Sequence, residues 1–298
     1  MSNSKRHITF IINPVSGTTK KKNIPGLIEE FFADTEIETG IRYTEYAGHA
    51  KEIAAELAQS GTTEIIAVGG DGTINEIVNG MAGTEALMGI IPSGSGNGLA
   101  RHCKIPMKAR KAMEIIRNAH VQKVDLMRIN GVYSANVSGV GFDALVAHKF
   151  QYSGKRGLAS YAKITMSEFV KYKAAEYELS IDGKEMKRKA FFVSLANSSQ
   201  FGNNAFIAPE ASITDGLIDV CILHPFPKIS SAIIMERVMA KTINNSKFME
   251  IIQAKKIQIK NTSGIYHLDG DPRENGEHLE IEIMPGILKL IVPEKQKI

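Results

Sequence analysis

The residues Gly69, Gly70, Asp71, Gly72 and Thr73 set one carboxylate among three glycines, between the apolar run at 64–68 and an amphipathic segment. Glycines at a strand-to-helix turn let the backbone approach a ligand, commonly a phosphate, which a helix N-terminus favours. A carboxylate repels phosphate, so Asp71 must serve something else. Phosphoryl transfer offers two tasks: holding a divalent cation that neutralises the phosphates, or taking the proton of an attacking hydroxyl. Capping a helix that starts near Thr73 is the plainer alternative. Two further loops share the glycine, serine and asparagine texture, NPVSGTTKKK from Asn13 and PSGSGNGLAR from Pro92. Ligands of doubly wound sheets bind beyond the carboxyl ends of the strands. Three such loops at one edge describe a phosphate site built from backbone N–H groups and small hydroxyls.

Better-known phosphate motifs fail on spacing. A Walker A loop needs a second glycine before its lysine, and the first loop has only Gly17. The dinucleotide fingerprint fails too, because Gly70 and Gly72 are followed by Asn75, and Gly94 and Gly96 by Leu99. Hydride transfer is therefore disfavoured. No GxSxG signature argues for a hydrolase. His49, His102, His224 and His267 show no metal-ligand spacing, and His102 is expected at a helix end.

The 298 residues, 43% of them hydrophobic, exceed what one core usually holds and point to two domains. A net charge of +4, a pI near 8.8 and the absence of tryptophan give no nucleic-acid footprint. Two isolated cysteines, Cys103 and Cys221, suit a reducing compartment. No apolar run reaches the roughly 18 residues of a membrane span, so a cytoplasmic protein is expected.

The elements that must position these loops alternate along residues 1–122. HITFII reads as a buried strand, and Leu27, Ile28, Phe31 and Phe32 share one helical face. A short strand near Gly40, a helix over 49–60 and a strand at 64–68 follow; then come a helix from Thr73, the strand LMGIIP, and helices from about Asn97 and over KARKAMEIIRNA. Short apolar strands alternating with helices predict an α/β domain whose doubly wound parallel sheet is covered on both faces. Residues 123–285 change to period-two runs with hairpin turns at Asn130-Gly131 and Asp182-Gly183, predicting a mainly antiparallel β domain. Helices are expected there at about 156–173 and 228–247.

GGDGTINEIVNG, preceded by NPVSG and followed by IPSGSGNGLAR, resembles the catalytic domain of the diacylglycerol kinase and sphingosine kinase lipid kinase family. VDLMRI, GVGFDA, ANSSQFGNNAFIAPEASITDGLIDVCIL and HLDGDP extend the likeness in order over most of the chain. The resemblance implies a nucleotide-binding domain akin to that of NAD kinases and a C-terminal β-sandwich, with the last strand, 286–298, returning to the first domain. It implies ATP and Mg²⁺ as cofactors and peripheral contact with a membrane that supplies the lipid; a homodimer is among the expected assemblies. Asn13, Ser16, Gly17, Thr44, Gly69, Gly70, Gly72, Thr73, Asn75, Ser95, Gly96 and Asn97 would line the ATP site. Asp71 would work with Asp269 and Asp271, where the family's Asp-Gly-Glu reads Asp-Gly-Asp. Ser212, Asp215 and the Leu217 carbonyl would hold a structural magnesium, although Thr214 replaces the first member of the usual acidic doublet. On local pattern alone HLDGDP and TDG are turns, and Asp143 either meets a lipid head group or begins a helix. An NAD kinase, or a non-catalytic lipid- or nucleotide-binding regulator, are the rival functions.

Overall fold

The structure, a computed structural model, describes residues 6–15, 23–154 and 158–294. It falls into two units, residues 1–125 with 285–298, and residues 126–284.

The first unit contains β1 (His7–Ile12), α1 (Ile24–Phe32), β2 (Glu38–Tyr43), α2 (His49–Gln59), β3 (Glu64–Gly69), α3 (Asp71–Met81), β4 (Leu87–Pro92), α4 (Gly98–His102) and α5 (Ala109–Asn118). Its strands run parallel in the order β2-β1-β3-β4. All residues of β3 and nearly all of β1 and β4 are buried, as apolar strands covered on both faces must be. Helices α1, α2 and α3 bury the stripes their sequences announce, such as Ile53, Ala54 and Leu57 in α2 and Ile74, Ile77, Val78 and Met81 in α3. Burying one such branched side chain contributes about 1.5–3 kcal/mol. Helix α3 begins at Asp71 itself rather than near Thr73.

β5 (Val121–Ile129) leads into the second unit, made of β6 (Val132–Ser134), β7 (Val137–Gly141), α6 (Phe142–Tyr152), α7 (Leu158–Lys171), β8 (Ala175–Ile181), β9 (Lys184–Ala190), β10 (Phe192–Ala196), β11 (Ile218–Leu223), α8 (Ser231–Met239), β12 (Met249–Ala254), β13 (Lys256–Lys260), β14 (Tyr266–Leu268) and β15 (Asp271–Arg273). The last strand, β16 (His278–Ile291), pairs with β13 through residues 278–282, and its Lys289 and Leu290 then pair in parallel with Leu87 and Met88 of β4.

Antiparallel pairing puts β12-β11-β10-β7-β14-β15 in one sheet and β16-β13-β8-β9 side by side in another. Alternate residues of β10 and β11 divide between two cores. Val193, Leu195, Val220 and Ile222 pack with Leu179, Ile257 and Ile281 of the other sheet. Phe192, Ala196, Cys221 and Leu223 pack with Ile234 of α8 and Ile243. Both faces are thus covered, which explains why these strands read as continuous apolar runs. The hairpin turns carry left-handed Asn130 and Asp182, each followed by a positive-φ glycine. The helix expected over 228–247 is shorter: α8 stops at Met239, and Lys241 at φ 61° turns the chain out of helical conformation. The structure also adds α6, where GVGFDA does begin a helix.

Gly80 of α3 lies where that helix packs closely on α2. A Cβ there would stand 2.4 Å from the Lys51 carbonyl oxygen and 2.8 Å from the Ala54 Cβ of α2. Gly80→Ala gains about 1 kcal/mol of helix propensity but loses about 1–3 kcal/mol to overpacking. The variant should therefore melt several degrees lower in a thermal unfolding experiment, and an unchanged or higher melting temperature would show that the two helices separate freely.

Candidate functional site

In the first unit the loops after β1, β3 and β4 are joined by the side chains flagged in the sequence. Asp71 opens α3, and its two carboxylate oxygens accept the backbone N–H groups of Asn97 and Gly98, each at 2.8 Å. Asn97, buried and left-handed at φ 52°, closes its own loop by accepting the Gly94 N–H at 2.9 Å and donating to the Gly94 carbonyl at 2.8 Å. Gly70 and Gly94 touch backbone to backbone, since a Cβ on Gly94 would fall 2.5 Å from Gly70 Cα. Gly69 is required for a different reason: its Cβ would lie 2.4 Å from that of Thr73. Thr73 Oγ1 accepts the Asn13 side-chain amide at 3.1 Å, tying in the loop after β1.

Asn13, Gly69, Gly70, Asp71, Thr73 and Asn97 are therefore one connected assembly. Gly72 lies in the first turn of α3, Ser95 is exposed, and the Gly96 carbonyl accepts Arg101 Nε at 2.9 Å. Thr44 is buried beyond β2 with its N–H on the Ile12 carbonyl, while Asn75 is buried within α3 and accepts Asn79. Ser16 and Gly17 lie outside the described residues. The sequence reading missed Arg101 and also Glu76, whose carboxylate accepts the Gly48 and Ala50 N–H groups at the start of α2. His102 does end α4; burial, then Lys104, pulls it down to about 4, so the ring is neutral.

In the second unit the acidic pair divides. Asp269 is buried, and its carboxylate accepts Ser134 Oγ at 2.6 Å and the N–H groups of Ala135 and Asn136 at 3.0 and 2.9 Å. The Asn136 carbonyl in turn accepts the N–H groups of Asn197 and Ser198. Asp271 is exposed at the start of β15, beyond Gly270 at φ 92°. Asp143, in the first turn of α6, accepts Ser194 Oγ at 2.7 Å and His267 Nε2 at 3.3 Å. A Cβ at Gly139 would lie 3.3 Å from Asp143 Oδ2 and 2.9 Å from Ser194 Cα, so a glycine there leaves room for this contact.

Around residues 212–217, Asp215 Oδ1 accepts the Leu217 N–H at 3.0 Å, and Ser212 Oγ lies 3.1 Å from Thr214 Oγ1. Burial pushes nearby Asp219 up to about 6, with Asp215 and Glu210 adding to the rise against a Gln253 hydrogen bond. Among the described residues no three His, Cys, Asp or Glu side chains converge as a metal group. The segment still offers a hydroxyl, a carboxylate and a carbonyl in a negative field, a donor set that fits magnesium completed by water.

Residues 7–129 match the family model of the diacylglycerol kinase catalytic domain, and residues 136–292 match that of the YegS C-terminal NAD kinase beta sandwich-like domain. The diacylglycerol kinase of Bacillus subtilis (strain 168) is 33% identical over 221 residues, 72% of this chain and 72% of that protein. A "Probable lipid kinase YegS-like" of Chromohalobacter salexigens is 28% identical over 261 residues, 85% of this chain and 84% of its own length. The crystal structure of a diacylglycerol kinase from Bacillus anthracis str. Sterne shares the fold, with a TM-score of 0.75 at 22% identity over 97% of this chain and 98% of that one. With a diacylglycerol kinase catalytic domain followed by its β-sandwich partner, the chain belongs to the family of YegS-like lipid kinases and diacylglycerol kinases, and is an enzyme.

Proposed function

We propose that the protein uses ATP to phosphorylate a lipid hydroxyl, of diacylglycerol or of a sphingoid or ceramide lipid. The observation that carries the nucleotide half of this reading is the joined set of loops after β1, β3 and β4, closed by Asp71. The hydroxyl oxygen attacks the γ-phosphorus, the bond to the β,γ-bridging oxygen breaks, ADP leaves, and the hydroxyl proton passes to a carboxylate. Asp71 lies at the junction of the loops after β3 and β4, whereas Asp271 is exposed on a turn. These placements favour Asp271 as proton acceptor, with Asp71 holding the phosphate loops and Asp269 anchoring the turn. General-base help of this kind contributes about 10²- to 10⁴-fold in rate. Magnesium bound with the nucleotide would neutralise phosphate charge. A second ion, at Ser212, Asp215 and the Leu217 carbonyl, would have a structural role.

Peripheral membrane contact is also proposed. Among the described residues no helix is long and apolar enough to cross a membrane. An apolar surface is nevertheless exposed on α7 and around α8, where Met166 is 66%, Val170 62% and Ile229 88% accessible, with Ile233 and Met235 beside them. Lys228 donates to the Val170 carbonyl, joining the two segments. Lys163, Lys171, Lys173 and Lys228 outnumber Glu168 and Glu236 in these two segments. Apolar side chains rimmed by lysine suit an anionic bilayer, each lysine contributing about 1 kcal/mol.

A kinase assay with labelled ATP against diacylglycerol, sphingoid bases, ceramide, phosphatidylglycerol and NAD should transfer phosphate to one of the first three, and exclusive labelling of NAD would overturn the reading. Asp271→Asn should lose at least about 10²-fold in kcat with its melting temperature intact. Asp269→Asn should instead melt roughly 5 to 10 °C lower, from about 3 kcal/mol of lost charged hydrogen bonding. Asp71→Asn, which turns an amide donor towards a backbone N–H, should abolish most activity and raise the KM for ATP; near-normal kinetics would remove Asp71 from the site. In vesicle sedimentation the protein should pellet with phosphatidylglycerol-containing vesicles, and less so as Ile229→Glu/Ile233→Glu. Equal recovery in the supernatant with and without vesicles would discard the membrane surface.

A further inference from the structure

His267 on β14 has a buried side chain, 3% exposed, and its two ring nitrogens meet different elements. Nδ1 accepts the Gly270 N–H at 3.2 Å, and Nε2 stands 3.3 Å from Asp143 Oδ2. A backbone N–H can only donate, so Nδ1 carries no hydrogen, and the neutral ring bears its proton on Nε2, which donates to Asp143. The same Asp143 oxygen accepts Ser194 Oγ at 2.7 Å, and the other accepts the Ala144 N–H at 2.8 Å. The carboxylate is thus held from β10 and from its own helix before the imidazole reaches it. The turn that presents Asp271 is consequently fastened at two consecutive residues, at Asp269 by its buried carboxylate and at Gly270 by the imidazole.

We propose that His267 is a positioning residue: as the Nε2–H tautomer it ties the Gly270 amide to Asp143 and α6, and so sets where the Asp271 carboxylate stands. This rests on the reading of Asp271 as proton acceptor. Asp271 opens β15 opposite Leu268 in the β14–β15 hairpin, so the turn between them is Asp269 and Gly270 alone. Gly270 has φ 92°, a conformation glycine adopts freely, and the imidazole on its N–H fixes the orientation of the peptide that leads into Asp271. A carboxylate displaced by an ångström from the substrate hydroxyl loses the geometry that proton transfer needs.

Two substitutions separate the links. In His267→Asn the side-chain carbonyl falls near the place of Nδ1 and still accepts the Gly270 N–H, but the contact with Asp143 is lost. In His267→Gln the amide reaches the place of Nε2 and still donates to Asp143, but nothing accepts from Gly270. The proposal expects His267→Gln to lower kcat about 10- to 100-fold with the KM for ATP unchanged, and His267→Asn to keep most of kcat. Both should fold, judged by circular dichroism and melting. Long-range ¹H–¹⁵N spectra of the imidazole should show an unprotonated Nδ1 and a protonated Nε2, with the ring signals assigned by their loss in His267→Asn. A proton on Nδ1 at neutral pH overturns the wiring whatever the kinetics. Unchanged kcat in His267→Gln while Asp271→Asn is impaired overturns the positioning role alone. Unchanged kcat in both His267→Gln and Asp271→Asn overturns the reading of Asp271 and the positioning role with it.

Discussion

Two backbone N–H groups, of Asn97 and Gly98, end on the single carboxylate of Asp71, and the loop face of the first unit depends on that junction. The loops it joins follow neighbouring strands β3 and β4, and where they meet at Gly70 and Gly94 there are no side chains to hold them together. Gly70 and Gly94 approach so closely that interdigitating side chains could not fit. A backbone-to-backbone seam has little apolar area to bury, so its cohesion must come from hydrogen bonds, and charged ones are roughly twice as strong as neutral ones. The carboxylate that looks misplaced among glycine loops is thus what holds their close backbone seam in one shape.

The second unit uses the same device for a different end. Asp269 gathers Ser134 Oγ and two backbone N–H groups, and the residues it gathers also receive the segment from Asn197. The buried carboxylate ties its own turn to residues 134–136, whose Asn136 carbonyl ties in residues 197 and 198, and it meets three donors, the condition under which burying a charge is tolerable. Asp271, two residues later, has none of that burial. Identical side chains on one turn thus meet opposite surroundings, one buried and one exposed.

Much of this was legible in the letters. The alternation of short apolar strands with helices gave the parallel sheet, and Asn130-Gly131 and Asp182-Gly183 marked both hairpins, since few residue pairs accept two successive positive φ values. The glycine loops were visible because glycine is the residue for close backbone approach. What stayed hidden was what those carboxylates hold. A backbone N–H has no letter of its own, so neither the Asp71 junction nor the Glu76 cap of α2 could be read, and Asp269 could not be told from Asp271. Helix α6 was hard to see because Phe142, Ala144, Val146 and Ala147 are all buried and leave no clean polar face. The overlong helix near 228 had the opposite cause: Lys241 takes a left-handed conformation that its letter does not advertise.

The return of β16 to β4 bears on how the protein is made. Lys289 and Leu290 complete the first unit's sheet beside Leu87 and Met88, yet a ribosome adds them about two hundred residues after β4. Until then β4, apolar and otherwise buried along nearly its whole length, presents an open edge of unpaired N–H and C=O groups. The nascent first unit is therefore most prone to sticking to other chains during synthesis, and a fragment ending near residue 125 would keep that hazard permanently.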